Sequence, residues 1–121
     1  MQYAILCYNN EDITSAWSKE EDDRCMAQLL AVQEPLRKQG KLGPVARLLP
    51  TSAATTLRKT KDEPIVIDGP FAETKEQLLG FYVVDVATLD EALEFAGELA
   101  KANLSMGSYE IRPIQTFMRN T

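Results

Sequence analysis

The residues best suited to chemistry lie in the stretch Ile65-Val66-Ile67-Asp68-Gly69-Pro70-Phe71-Ala72-Glu73-Thr74-Lys75-Glu76-Gln77. An apolar run stops at an acid, turns on Gly-Pro, and is followed by three charges before the next apolar run begins. The pattern predicts a buried strand that delivers the Asp68 carboxylate to its own end, beside a groove. There Asp68 can serve as a general base or hydrogen-bond a ligand, its pKa raised by the apolar rim of Ile67 and Phe71. Lys75 would stabilise a developing oxyanion or hold an anionic substrate, with Glu73 as the partner acid. Gly69, Pro70, Phe71 and Glu76 would complete the ligand-facing corner, and Tyr8 can bring a hydroxyl to the same cavity.

A plainer reading stands beside each of these. Asp-Gly is common turn chemistry: Asp68 would accept backbone N–H groups while Gly69 supplies an unusual backbone angle. A charge run such as Glu73 to Glu76 is usually solvated surface. A tyrosine at a strand end usually packs its ring and leaves its tip in water.

The chain has no histidine, which narrows the remaining options sharply. Ser-His-Asp and Cys-His machinery is excluded. Two cysteines without histidine cannot build the usual tetrahedral zinc sets, so no metal site is expected. No Gly-rich phosphate loop follows a strand, and no cofactor is expected from motif; a haem or flavin held by shape alone stays open. Any general base must be a carboxylate, Lys, Tyr or Cys with a shifted pKa.

The 121 residues are expected to form one domain over 1–121, long enough to bury roughly two-thirds of the unfolded surface. With 45% hydrophobic and 26% charged residues, the composition is that of an ordinary globular protein. A net charge of −5 argues against a nucleic-acid partner, which needs clustered Lys and Arg. No apolar run approaches the roughly 18 residues that cross a bilayer, so no membrane partner is expected. The N-terminus lacks a signal-peptide pattern, and the default expectation is a cytoplasmic protein. Cys7 and Cys25 lie in apolar periodic segments and read as buried, inert thiols.

These groups need elements to position them. Gln2 to Tyr8 reads as a strand ended by the turn formers Asn9 to Asp12. Ser18 and Glu21 form a capping box that opens a helix, with Cys25, Met26, Leu29, Val32 and Leu36 as its apolar stripe and Gly40 as its stop. Pro35 predicts a kink or an early end. Trp17, just before the cap, either plugs the core edge or roofs a pocket. Val45 to Leu49, Thr55 to Thr60 and residues 65–67 read as further strands, and Leu78 or Leu79 to Val86 as a stronger one. Thr88 and Glu91 cap a second helix with apolar positions Leu89, Ala92, Leu93, Ala96, Leu99 and Ala100. Tyr109 to Ile114 returns as the last strand. Arg47, Arg58 and Arg112 read as sheet-rim residues paired with acids.

Two βαβ units separated by an extra hairpin predict an α+β sandwich of the ferredoxin-like kind, with two helices on one face of an antiparallel sheet. Gly80 to Val86 is largely apolar on both alternating faces, and two helices can cover only one. The other face predicts a homodimer.

Asp68-Gly69-Pro70-Phe71, continuing through Glu73-Thr74-Lys75-Glu76-Gln77-Leu78 and Gly80-Phe81-Tyr82-Val83-Val84-Asp85-Val86 to Leu89-Asp90-Glu91-Ala92-Leu93-Glu94, resembles the DGPF, or YCII-related, family. The resemblance spans nearly the whole chain and implies a ferredoxin-like fold paired as a dimeric α/β barrel. Some relatives in the broader group place a His with an acidic residue in their active site, a pairing this chain cannot form. DGPF proteins are often encoded beside extracytoplasmic-function sigma factors, which implies a regulatory context. Two functions remain in view: a non-catalytic module that binds a small organic ligand or a regulatory protein, and a small isomerase, lyase or cofactor-free oxygenase using Asp68, Glu73 and Lys75.

Overall fold

Strand-forming residues dominate two long segments, β1 (Gln2–Asn9) and β5 (Gln77–Asp85), and these pair antiparallel along their length. The computed structural model describes residues 1–103 and 105–118. Flanked by β2 (Leu42–Arg47) and β6 (Ser108–Pro113), they form a four-stranded sheet of order β2-β5-β1-β6 in which every neighbouring pair is antiparallel. A one-turn α1 (Glu11–Thr14) and a long α2 (Lys19–Lys38) connect β1 to β2, and α3 (Leu89–Ala102) connects β5 to β6. The architecture is α+β, an antiparallel sheet with three helices, consistent with a ferredoxin-like sandwich. Among the described residues no helix is long and apolar enough to cross a membrane.

Local chemistry sets the helix ends. The Ser18 hydroxyl accepts from the Glu21 N–H while the Glu21 carboxylate accepts from the Ser18 N–H, closing the capping box at the start of α2. At the other end Gly40 takes φ 70°. Its N–H donates to Arg37 O, and the Lys41 N–H donates to Leu36 O, so the last carbonyls are satisfied. The helix runs through Pro35 to Lys38. The expected disruption amounts to one missing donor, and Ala31, whose carbonyl loses it, is exposed to water. Thr88 caps α3 by accepting from the Glu91 N–H.

Strand register sorts side chains between two faces. Tyr3, Ile5 and Cys7 on β1 share a face with Tyr82 and Val84 on β5, and this face meets the helices. Ile5, Val84 and Leu99 are completely buried, and the Tyr82 ring meets Phe95 edge-on with centroids 5.9 Å apart. Ala4, Leu6, Tyr8, Phe81 and Val83 point to the other face, joined by Glu110 and Arg112 from β6.

Two segments depart from expectation. Asn9 to Asp12 do not simply turn: the Asn10 side chain accepts from the Asp12 N–H and opens α1. The same local hydrogen bonding that favours a turn here starts a helix. The larger correction concerns the strand at 65–67. β3 (Thr55–Arg58) and β4 (Ile65–Asp68) pair only with each other, as a separate ribbon. The expected burial fails, since every residue of β4 is exposed and Val66 remains 67% accessible. Apolar content alone does not bury a strand; it needs a layer across from it, and among the described residues no element covers β4.

Gly80 lets β2 approach β5, because a methyl group there would run into the Ala46 carbonyl oxygen. Gly97, in α3, has open space around its missing side chain. Gly80→Ala should therefore destabilise the fold by about 1–3 kcal/mol, whereas Gly97→Ala should stabilise it by roughly 0.5–1 kcal/mol. Urea denaturation of the two variants beside the parent checks both signs.

Candidate functional site

Along the helix-facing side of β1 and β5, side chains shrink from Tyr3, Ile5 and Val84 to Cys7 and Gly80. α3 seals the bulky end, where Ala92, Phe95, Ala96 and Leu99 are all buried. α2 spans the thin end and buries only Cys25 and Gln33. The unfilled volume is a half-open cavity of about 850 Å³. Cys25, Leu29 and Gln33 line it from one stripe of α2, at intervals of one helical turn. Cys7, Tyr82 and Tyr109 line it from the sheet, and Trp17, Leu48, Leu49 and Met106 from the connecting segments. Of the two roles open to Trp17, lining a pocket is the one observed.

Polar groups around this space fall into two kinds. Most are engaged. The Asn9 amide donates to Ser105 Oγ at 2.6 Å and its carbonyl oxygen accepts from the Asn10 N–H at 2.8 Å. Glu11 accepts from the Thr51 N–H at 3.0 Å and from the Thr51 hydroxyl. Arg47 forks onto Asp22, with contacts of 2.7 and 3.2 Å between β2 and α2. That guanidinium holds the Asp22 carboxyl below the usual carboxylate range. The other kind includes Gln33 and Tyr82, its two most buried members. Gln33 is 8% exposed and Tyr82 9% exposed, and neither the carboxamide nor the phenol has a hydrogen-bond partner among the described residues. No fully enclosed side-chain N or O atom there lacks a partner, so both groups reach open space, in the cavity they line.

Burial keeps the interior neutral. It pushes the Cys7 thiol up to about 12 and the Tyr82 phenol upward, so at neutral pH these are a thiol and a hydroxyl donor. Among the described residues no cluster of three His, Cys, Asp or Glu side chains could hold a metal ion.

The residues singled out from sequence lie mostly elsewhere. Asp68 ends β4 opposite Thr55, exposed, with no hydrogen bond to its carboxylate among the described residues. Gly69 takes φ 109°, as the turn reading requires. It anchors the corner through its N–H to Ala54 O at 2.7 Å and its carbonyl, which accepts from the Thr56 hydroxyl at 2.8 Å. Pro70 is half-buried, whereas Phe71, at 77% exposure, projects from the surface. Glu73 and Lys75 are exposed, and Glu76 accepts from Ser108 Oγ at 2.9 Å. None of residues 68–76 lines the cavity of the same chain. Tyr8 does line it, yet its hydroxyl donates to Glu110 at 3.2 Å on the opposite face of the sheet. The signal for Gln33 was present in the sequence: it is a polar residue one turn beyond Leu29 on an otherwise apolar stripe.

A family model described as the YCII-related domain matches residues 1–118. The chain is 65% identical over 117 residues to an uncharacterised protein of Rhizobium meliloti (strain 1021), an alignment covering 97% of this chain and 94% of that one.

With its pKa near 12, Cys7 should react with iodoacetamide at pH 8 roughly a thousandfold more slowly in the native protein than in denaturant, as mass spectrometry of the labelled peptide would show. The Asp22–Arg47 pair carries a pH signature. Asp22 is more acidic folded than unfolded, so its stabilisation is present above the ordinary carboxylate pKa and vanishes as pH falls through the folded value. Arg47→Ala should cost at most about 1 kcal/mol at pH 7, because the pair is largely solvated. The difference should disappear in acid, measurable by urea titrations across the range.

Proposed function

The chain belongs to the YCII-related domain family, and from that starting point we propose that it binds a small organic molecule in the cavity between α2 and the sheet. One observation carries this. Gln33 is 8% exposed, and its carboxamide, without a partner among the described residues, faces about 850 Å³ of open volume. A polar group with open donors and acceptor inside a mostly apolar recess is the kind of group that orients a small-molecule ligand. The volume lies within the usual range for small-molecule sites.

The finer architecture we propose is a homodimer closing a dimeric α/β barrel through the sheet faces that the helices leave uncovered. Leu6 and Phe81, half-exposed at the centre of that face, support it, as do the exposed Leu57, Val66 and Phe71 of the ribbon and its following turn. The alternative function, acid–base catalysis by Asp68 with Glu73 and Lys75, depends on that assembly, because only a second chain could roof their exposed corner.

A metabolite-library thermal-shift screen tests the binding site. A true ligand at tenfold excess over Kd should raise the melting temperature by roughly 5 °C. Leu29→Trp, which fills the cavity, should abolish the shift, and Asp68→Asn should leave it intact. A shift that survives Leu29→Trp but disappears in Asp68→Asn would move the site to the ribbon corner. Sedimentation at micromolar concentration should show a dimer that Phe81→Glu dissociates; a monomeric parent protein would end the barrel proposal.

A further inference from the structure

If the cavity is a binding site, its chemistry constrains what enters. Three charged side chains line it, Glu11, Asp22 and Arg47, and each is already engaged: Glu11 by the Thr51 N–H and hydroxyl, and Asp22 and Arg47 by each other. Asp22 and Arg47 cancel each other and Thr51 offers Glu11 only neutral donors, so no lining cation is left to neutralise an anion, and an anion moved into this space would lose its hydration without compensation. The apolar stripe of Cys25, Met26 and Leu29 offers soft, polarizable contact. Two well-buried hydrogen-bonding groups remain. The Gln33 carboxamide presents both a carbonyl acceptor and N–H donors, and the Tyr82 phenol presents an O–H. Burial holds that phenol protonated at neutral pH, so it too is an uncharged partner.

We propose that the cavity takes a neutral organic ligand, an apolar body bearing a carbonyl, amide or hydroxyl group that hydrogen-bonds Gln33 and Tyr82, in preference to an organic acid or a phosphate. This deepens the binding function proposed above and rests on it. Discrimination arises in two ways. A neutral amide meets open hydrogen-bonding groups, while an anion must break the Asp22–Arg47 pair or go unpaired beside Glu11.

Displacement of the neutral dye Nile red separates the two levels of the proposal. Binding of Nile red to the parent protein, lost in Leu29→Trp, establishes the cavity as the site. Naphthamide should then displace the dye at roughly tenfold lower concentration than naphthoate at pH 7. Gln33→Leu and Tyr82→Phe should each reduce the advantage of naphthamide over naphthalene by roughly fivefold while Nile red still binds. Naphthoate matching naphthamide, or a naphthamide advantage that survives both substitutions, overturns the ligand class and leaves the cavity standing. Nile red that does not bind, or binds Leu29→Trp equally well, removes the cavity as the site and the ligand class with it.

Discussion

The pairing of β1 with β5 is the constraint on which the rest of the molecule depends. Its register puts Tyr3, Ile5, Tyr82 and Val84 on the face that meets the helices, and lets Cys7 and Gly80 end that face with little side-chain volume. Two helices must cover one tapering surface. α3 has the residues to do so, and its Ala92 and Leu99 lose all contact with water. α2 is rich in charged residues and leaves Leu30 more than half exposed. A sheet thin at one end and a helix poor in buried side chains cannot close on each other. The cavity is the geometric result, and it coincides with the only stretch of α2 where a polar residue interrupts the apolar stripe.

Charge pairing around the opening has a different role from stability. Asp22 and Arg47 tie α2 to β2, and Glu11 ties α1 to Thr51 in the segment that follows β2. Solvated pairs of this kind contribute little to folding. Their consequence is electrostatic: Asp22 and Arg47 cancel each other, no cation is left beside the cavity, and the neutral Gln33 and Tyr82 remain among its open hydrogen-bonding groups. The acidic excess of the chain therefore says little about the interior. Net charge describes the surface, while the cavity is governed by local pairing.

The β3–β4 ribbon shows the opposite imbalance. Its apolar side chains face water, and its strands pair with each other and with the anchored corner at Gly69. A two-stranded ribbon has little independent stability in water, so a surface that covers it would both stabilise it and bring Asp68, Glu73 and Lys75 out of bulk solvent.

Features governed by nearest neighbours were legible in the chain itself. Ser18 with Glu21, Thr88 with Glu91, Gly40 and Gly69 act over four residues or fewer, and their capping, stopping and turning follow from backbone chemistry that residue type specifies. The order of strands and helices followed from the same local periodicity. Burial did not, because it depends on what lies across space. Ile65, Val66 and Ile67 read like a core strand, yet the sheet closed without them. Gln33 belongs to no motif and only interrupts the apolar stripe of α2, and the fold turned it inward to line the same cavity as Tyr82, Cys7 and Gly80. Sequence determined the order of the long elements and the caps of the helices; the tertiary structure decided the limits of the shorter strands and which surfaces found a partner, since those choices are made between residues tens of positions apart.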